Sequence, residues 1–540
     1  KNDDDIVTRL SGLVWSSLRY RAALMDESLE PDVFHLGTVT NEKWFKTVAS
    51  FMPKKFAYAF PYLFNGYPLD MSQHKKMFGG SRIPLKHRDI YRQTNNARHI
   101  CVMYKDNVYT VNVMGPTGNI YSPAQIRNAL QFIVDADENA GVPVGVFTGE
   151  ERNEWAGIRE QLENNATNKN NLDAIDTSLF LVSLDKEGAS SRESLANQFL
   201  HGYGKNRWFD KSFCLLGSGT GEVAINFEHS WGDGVCVVRY AEEVMKDQEF
   251  VKFEGTNELD LPTKLCWDLN QEQMSQVEKS GKKLEDTAKS LDFKMCLYEK
   301  FGKEDLKKHK ISPDAVAQIA IQLGHYRLHN QIVPTYESAS TAGFKGGRTE
   351  TIRPATVAST EFVKAFTADP SPQGKGDLLR KAADKHNKIS VEAKTGKGMD
   401  RHLFALAAIA KKDHIRSTLT AKGASETEIE DAVAKGGGDL MSAAEVAEGL
   451  PKLFTDNGWS RINHNILSTS TLASEAIEGG GFGPVVADGY GIGYGVRDHG
   501  IGFNISSYRG DSQQLGDSFA KSLDDIMEVL KANPPPKSEK

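Results

Sequence analysis

The chain has 540 residues, 39% hydrophobic and 25% charged, with a net charge of −7. At roughly 100–200 residues per domain, that length implies two to four domains and more than one buried core. The acidic balance excludes a global basic field for nucleic acid, so any anion site must be a local cluster.

Five cysteines, Cys101, Cys214, Cys236, Cys266 and Cys296, are scattered and never form a C-x-x-C pair. This argues against a disulfide framework and a zinc knuckle, and fits a reducing compartment. The sequon Asn165-Ala166-Thr167 is then a chance match. No apolar run reaches the ~20 residues of a spanning helix. The start at Lys1, without Met or a signal-like segment, reads as a processed or truncated chain.

Spacing predicts a helix within the first ~40 residues, with Leu10, Leu13, Val14 and Leu18 on one face. Residues 41–64 combine Trp44, Phe45, Phe51 and Met52 with Pro53-Lys54-Lys55 and an aromatic run from Phe56 to Phe64. Lysine-flanked aromatics suit two short helices at a membrane interface, and equally a core-packed pair. Residues 99–104 and 108–113 read as strands joined by Lys105-Asp106-Asn107, with a helix at 123–136. Further strands are expected at 178–184, 213–216 and 222–229, and a helix from Gly234 to Met245.

A second block begins near 266. It reads as helical to 330, then mixed, with strands at 483–487, 491–497 and 501–506 and a terminal helix at 512–531. The expected fold class is α/β in two domains, 1–265 and 266–540. Residues 411–447, charged, alanine-rich and glycine-broken, look like a surface insertion without an assigned function, and no internal repeat is visible.

His229 closes the alternating stretch 222–229 and shares the parity of Ile225 and Phe227, which aims it at the apolar side. A histidine there is more often a core residue than a base. The residues just after it alter that reading: Gly232-Asp233-Gly234 turns the chain into a helix, and Arg239 is placed to pair with Asp233 and brace the turn. A neutral imidazole can take a hydroxyl proton near neutral pH. H-x-x-x-D-G is also the signature of CoA acyltransferases related to chloramphenicol acetyltransferase.

Three other groupings have chemical potential. Leu467-Ser468-Thr469-Ser470-Thr471 clusters hydroxyls that could serve an oxyanion or a carboxylate. Lys303, Lys307 and Lys310 fall at i, i+4 and i+7, one helix face for phosphates or simply for solvent. Tyr336, Ser338, Thr349 and Arg401 could share a small carboxylate or belong to polar loops. Gly489 to Gly495 misses the G-x-G-x-x-G spacing, and Gly374-Lys375-Gly376 lacks the rest of a phosphate-binding loop.

Taken in order, these stretches resemble the carnitine/choline acyltransferase family, in particular its long-chain mitochondrial branch. The likeness also runs through Tyr67 to Gln73, Asn206 to Ser212, Ser312-Pro313-Asp314, Asp400 to Leu406 and Gly483 to Val486, and covers nearly the whole chain. It implies two α/β domains of chloramphenicol-acetyltransferase-like topology with the active site in a tunnel between them. His229 would deprotonate the carnitine hydroxyl, which attacks the acyl-CoA thioester without an acyl-enzyme. Asp233 and Arg239 would shape the loop, and Ser470 would hold the oxyanion with the trimethylammonium of carnitine nearby. Tyr336, Ser338, Thr349, Arg401 and Ser468 would bind carnitine; Lys303, Lys307, Lys310 and Asp314 would bind CoA.

Gly480, in Gly479-Gly480-Gly481, resembles the opening of a long acyl tunnel. The implied activity is reversible long-chain transfer between acyl-carnitine and CoA, feeding mitochondrial fatty-acid β-oxidation. CoA and carnitine are substrates, and neither a separate cofactor nor a metal is expected. The resemblance places the chain on the matrix side of the mitochondrial inner membrane, touching it through about 41–64. A medium-chain carnitine octanoyltransferase and a non-catalytic CoA- or lipid-binding relative are the alternatives. The family normally has more chain before the region matching Lys1, and the 411–447 insertion has no match in its pattern.

Overall fold

The computed structural model describes residues 5–35, 66–254, 260–472 and 474–535. The aromatic stretch 41–64 lies outside them. Two small antiparallel pairs come first, β1 (Val33–His35) with β2 (Gly66–Pro68) and β3 (Gly80–Leu85) with β4 (Arg88–Gln93). Next in the chain are β5 (His99–Tyr104), β6 (Asn107–Asn112), β7 (Leu181–Leu184), β8 (Phe213–Gly217), β9 (Val223–Phe227) and β10 (Thr263–Leu265). They form one six-stranded sheet in the order β10-β6-β5-β7-β8-β9. The expected hairpin is present, and Lys105 and Asp106 turn it with φ of 49° and 61°. A two-residue turn with both φ positive matches the strand twist.

The second sheet is built from β11 (Asp292–Tyr298), β12 (Thr335–Ser340), β13 (Thr349–Ile352), β14 (Leu467–Thr471), β15 (Tyr490–Arg497) and β16 (Gly500–Ser507), ordered β11-β16-β15-β14-β12-β13. Across either sheet, neighbouring strands pair antiparallel, antiparallel, parallel, parallel, antiparallel. The chain therefore repeats a sheet pattern that its sequence does not display. Pairing direction is a tertiary property, and the two halves satisfy it with different side chains.

Seven helices position the site: α1 (Ile6–Met25), α2 (Gly234–Asp247), α3 (Gln271–Ser290), α4 (Pro313–His329), α5 (Gly376–Lys394), α6 (Asp400–Ala421) and α7 (Ser512–Ala532). Leu10, Val14 and Leu18 of α1 and Tyr240 and Val244 of α2 pack on one face of the first sheet with Val102 and Val182. Val277 of α3 packs on its other face with Trp155 and Leu181. Ala315, Ile319 and Leu323 of α4 and Phe519 and Leu523 of α7 cover one face of the second sheet around Ile492 and Phe503.

The expected division at 265 and 266 thus precedes a helix that belongs by packing to the first half; the second sheet starts at Asp292. Strand β11 lies inside the stretch expected to be helical. It is an edge strand paired along its length with β16, from Asp292↔Ser507 to Tyr298↔Ile501, and that pairing overrides a weak local pattern. Residues 483–487 are not a strand. Pro484 offers no N–H to a ladder. The insertion folds on the far half of α6, where Ile415 and Leu419 pack with Ile429, Val433 and Met441 in a cluster of their own.

Candidate active site

Strand β9 is the edge of the first sheet, and the chain leaves it at Glu228 to reach α2 at Gly234. Trp231 is buried between these ends, its indole N–H donating to the Ser212 carbonyl at 2.9 Å. This pins the loop while His229 stays outside it. The strand ends two residues before His229, so alternation no longer governs its direction. The imidazole is 65% exposed rather than turned into the core, and it lines a cavity of about 1850 Å³.

Asp233 is the N-cap residue of α2, and its carboxylate is 3.9 Å from His229 Nδ1, beyond hydrogen-bond reach. Its partner is not Arg239. Six residues along a helix is about one and two-thirds turns, which sends Arg239 to another face. There it pairs with Asp32 and, at 3.0 Å, with Glu243, away from the cavity wall. The cation that braces the loop is Arg348. One Nη2 donates to the carbonyls of His229 at 2.8 Å and Gly232 at 3.0 Å and to Asp233 Oδ1 at 3.0 Å; Nη1 reaches the Ser230 carbonyl at 2.6 Å. Gln73 completes the brace, accepting from the Asp233 N–H at 2.9 Å and donating to the Gly347 carbonyl at 2.9 Å. Gln73 lies in a stretch that resembles the family and Arg348 stands next to Thr349, but only the fold shows that they meet this loop.

The facing wall belongs to the second sheet. In β12, Tyr336, Ser338 and Ser340 are partly exposed and alternate with buried Thr335, Glu337 and Ala339. Parallel pairing sets Tyr336 beside Ser468 of β14. Ser468 and Ser470, two residues apart, share a side of that strand. Arg401, in the first turn of α6, donates through Nη2 to the Tyr336 hydroxyl at 3.1 Å and to Thr349 Oγ1 at 3.4 Å. Its neighbour Asp400 is held by Arg353 at 2.6 Å. Tyr336, Ser338, Thr349, Arg401, Ser468 and Ser470 all line the same cavity as His229. A guanidinium flanked by two hydroxyls has the donors to take a carboxylate.

Asp314 also reaches this cavity, at the start of α4. It meets Tyr494, Glu337 and His386, none of which the sequence marks; Tyr494 OH is 2.6 Å and His386 Nε2 3.2 Å from its carboxylate. Donor atoms of Asp314, Glu337 and His386 lie within 4.8 Å of one another, and hydrogen bonding accounts for that spacing. The three lysines stand apart. Lys303 and Lys307 are exposed on a short helix, Lys303–Lys308, with acidic neighbours Asp498 at 3.7 Å and Glu304 at 2.9 Å. Lys310 lies past the helix end with a φ of 52°, so the expected three-lysine face is a two-lysine face.

Gly479, Gly480 and Gly481 border the cavity with Leu472 beside Gly480 and Phe293 beside Gly481, and Val238 and Met245 of α2 line the cavity too. The glycine-rich run that failed as a phosphate loop explains how this segment sits. A Cβ on Gly491 or Gly493 of β15 would fall on the carbonyl oxygens of Phe482 and Gly480. Glycine there lets segment 480–483 lie flat on the strand.

The family model described as "Choline/Carnitine o-acyltransferase" matches residues 1–525. The chain is 37% identical over 539 residues to carnitine O-palmitoyltransferase 2, mitochondrial, of Xenopus tropicalis, covering 97% of this chain and 77% of that protein. The same protein of Homo sapiens is 37% identical over 540 residues, covering 98% and 77%. Choline O-acetyltransferase of Homo sapiens is 31% identical over 505 residues, covering 88% and 63%. With a histidine and a serine pair lining one cavity, and a family model that matches residues 1–525, the chain belongs to the choline/carnitine O-acyltransferase family of acyltransferases.

Proposed function

We propose that this chain transfers long-chain acyl groups reversibly between CoA and carnitine, as the names of its palmitoyltransferase relatives suggest, and that it works in the mitochondrion. One observation carries the choice of acceptor. Arg401, bracketed by Tyr336 and Thr349, opens on the cavity that holds His229. Carnitine carries a carboxylate for that guanidinium, and choline carries none. The apolar wall beside Gly480 supports an acyl chain on the other side of the reacting carbon.

In this reading His229 takes the carnitine hydroxyl proton as the oxygen attacks the thioester carbonyl. Ser470 donates to the tetrahedral oxyanion. Collapse breaks the C–S bond, and the imidazolium returns its proton to the CoA sulfur. The acyl group passes directly between substrates, so the reaction calls for no resident cofactor. The exposed pair Lys303 and Lys307 would meet CoA phosphates outside the cavity. The test is thiol release from palmitoyl-CoA with carnitine, with choline, and with neither. Release should require carnitine and be at least tenfold slower with choline; turnover without an acceptor would overturn the reading.

The loop brace has its own consequence. Arg348→Gln leaves the Asp233 carboxylate, 7% exposed, unpaired and frees three loop carbonyls. A displacement of His229 by about 1 Å can cost on the order of 10²-fold in rate. We expect kcat/KM to fall by about that much. Arg348→Lys should recover only part, because an ammonium cannot reproduce the guanidinium fork. Arg239→Gln, at the position that sequence proximity favours for the brace, should stay within a few-fold of wild type. The reverse order of the two arginine variants in a thiol-release assay would refute the assignment.

A further inference from the structure

A polar cluster that the acyl-transfer steps leave unused borders the same cavity through Asp314, Glu337 and Thr469. Glu337, Thr469 and Tyr494 stand on the reverse of β12, β14 and β15, against Gln318 and Asp314 of α4 and His386 of α5. Glu337 is 4% exposed. Burying this many polar groups is costly unless their protons match.

The proton count is informative. The Tyr494 oxygen is 2.6 Å from Asp314 Oδ1, 3.1 Å from Glu337 Oε1 and 3.2 Å from Gln318 Nε2. A phenol has one proton to give. Given to Asp314, the nearer partner, it leaves Glu337 facing an oxygen with nothing to donate. The Tyr494 contact is satisfied when Glu337 is itself a neutral acid and donates to Tyr494, with Glu337 Oε2 and Gln318 Oε1 left buried without a hydrogen bond. His386 agrees: Nε2 lies 3.2 Å from Asp314 and 3.5 Å from Glu337 Oε2, while Nδ1 is buried without a partner. A neutral ring protonated on Nε2 leaves no orphan donor. Burial, then the charge of Asp314, pushes the Glu337 carboxyl up to about 7. Asp314 is lowered: burial opposes this, but the hydrogen bonds from His386 and Tyr494 outweigh it. His386 and Lys394 of α5 act on both acids, lowering each.

The cluster is tied to the substrate side. Gln318 Nε2, shared with Tyr494, also donates to Thr469 Oγ1 at 2.9 Å, and Thr469 Oγ1 donates to the Tyr336 carbonyl at 2.8 Å. Thr469 sits between Ser468 and Ser470; Glu337 sits between Tyr336 and Ser338. We propose that Glu337 is a positioning residue. As a neutral acid bound to Tyr494 it holds β12 against β14, and with them Tyr336, Ser468 and Ser470, in the alignment acyl transfer needs. This rests on the carnitine acyltransferase reading. Ionised, Glu337 sets a second negative charge beside Asp314, and the chain of hydrogen bonds breaks.

The test is kcat/KM for carnitine at pH 7.5 and 9.0 with saturating palmitoyl-CoA. Every titrating group other than Glu337 is shared with Glu337→Gln, so a fall confined to the wild type isolates this acid. Wild type should fall by about twentyfold from 7.5 to 9.0, tracking loss of the protonated acid. Glu337→Gln, neutral at every pH, should fall less than twofold. Glu337→Leu, which removes the donor, should be low at both. A glutamine variant with the wild-type fall, or a wild type with none, overturns the proposal.

Infrared difference spectra of the wild type between pH 6.5 and 9.0 give a readout without turnover. A protonated-carboxyl C=O band should disappear on raising the pH, and Glu337→Gln should lack it. If no carnitine-dependent turnover is seen at any pH, the carnitine reading fails, and this band alone still decides the protonation of Glu337; its absence overturns the positioning role.

Discussion

Replacing His229 by glutamine is expected to lower kcat for carnitine-dependent acyl transfer by about 10³-fold, within the range of 10²–10⁴ that a positioned general base supplies. The side chain is 65% exposed and forms no hydrogen bond within reach of Asp233. Its loss therefore leaves no buried partner unsatisfied. Stability should change by no more than about 0.5 kcal/mol, as for other exposed positions. Those two outcomes separate a base from a structural histidine. A core residue would cost melting temperature first and rate only through unfolding. Acyl transfer surviving within tenfold, with a normal melt, would mean that another group takes the hydroxyl proton, and the mechanism would have to be rebuilt around it.

Elements with a strong local signature are legible in the sequence. The β5–β6 hairpin has alternation and a turn suited to it, and α2 begins where a Gly-Asp-Gly run breaks the strand pattern. The grouping of Tyr336, Thr349, Arg401, Ser468 and Ser470 on one cavity is anticipated too, because they sit in stretches whose residue types suggest a shared chemistry. What escapes depends on pairing across the fold. Arg348 is visible as one more charge beside Thr349, yet its hydrogen bonds to the His229 loop span more than a hundred residues of chain. Arg239 is the nearer cation in sequence, and helix rotation takes it elsewhere. Lys310 fails for a local reason: the helix that would have aligned it ends at Lys308. Glu337 and His386 carry no signal of their own, since a lone buried acid or histidine means nothing until its partners are known. The matched strand directions of the two sheets lie further still from what residue patterns encode.

Chain length provides the second large effect. Gly480 lines the cavity without a left-handed φ, so its backbone accepts a side chain, and a Cβ there would lie 2.9 Å from Leu472 Cδ1. Leu472 can give way by a small shift, which makes folding of a Gly480→Met variant the expected result. The methionine must then occupy cavity space on the apolar side. Each buried methylene contributes about 0.8 kcal/mol, so displacing even four of them from a palmitoyl chain removes roughly 3 kcal/mol, on the order of 10²-fold in kcat/KM. Acetyl and butyryl groups never reach that depth and should keep or gain activity. The ratio of palmitoyl to butyryl turnover should therefore fall by about 10²-fold. The ratio is the sensitive measure, because damage to the carnitine site or to the His229 loop would lower both rates together. Unchanged palmitoyl activity in a variant that folds would show that the acyl chain runs elsewhere, and the preference for long chains would then lose its structural argument.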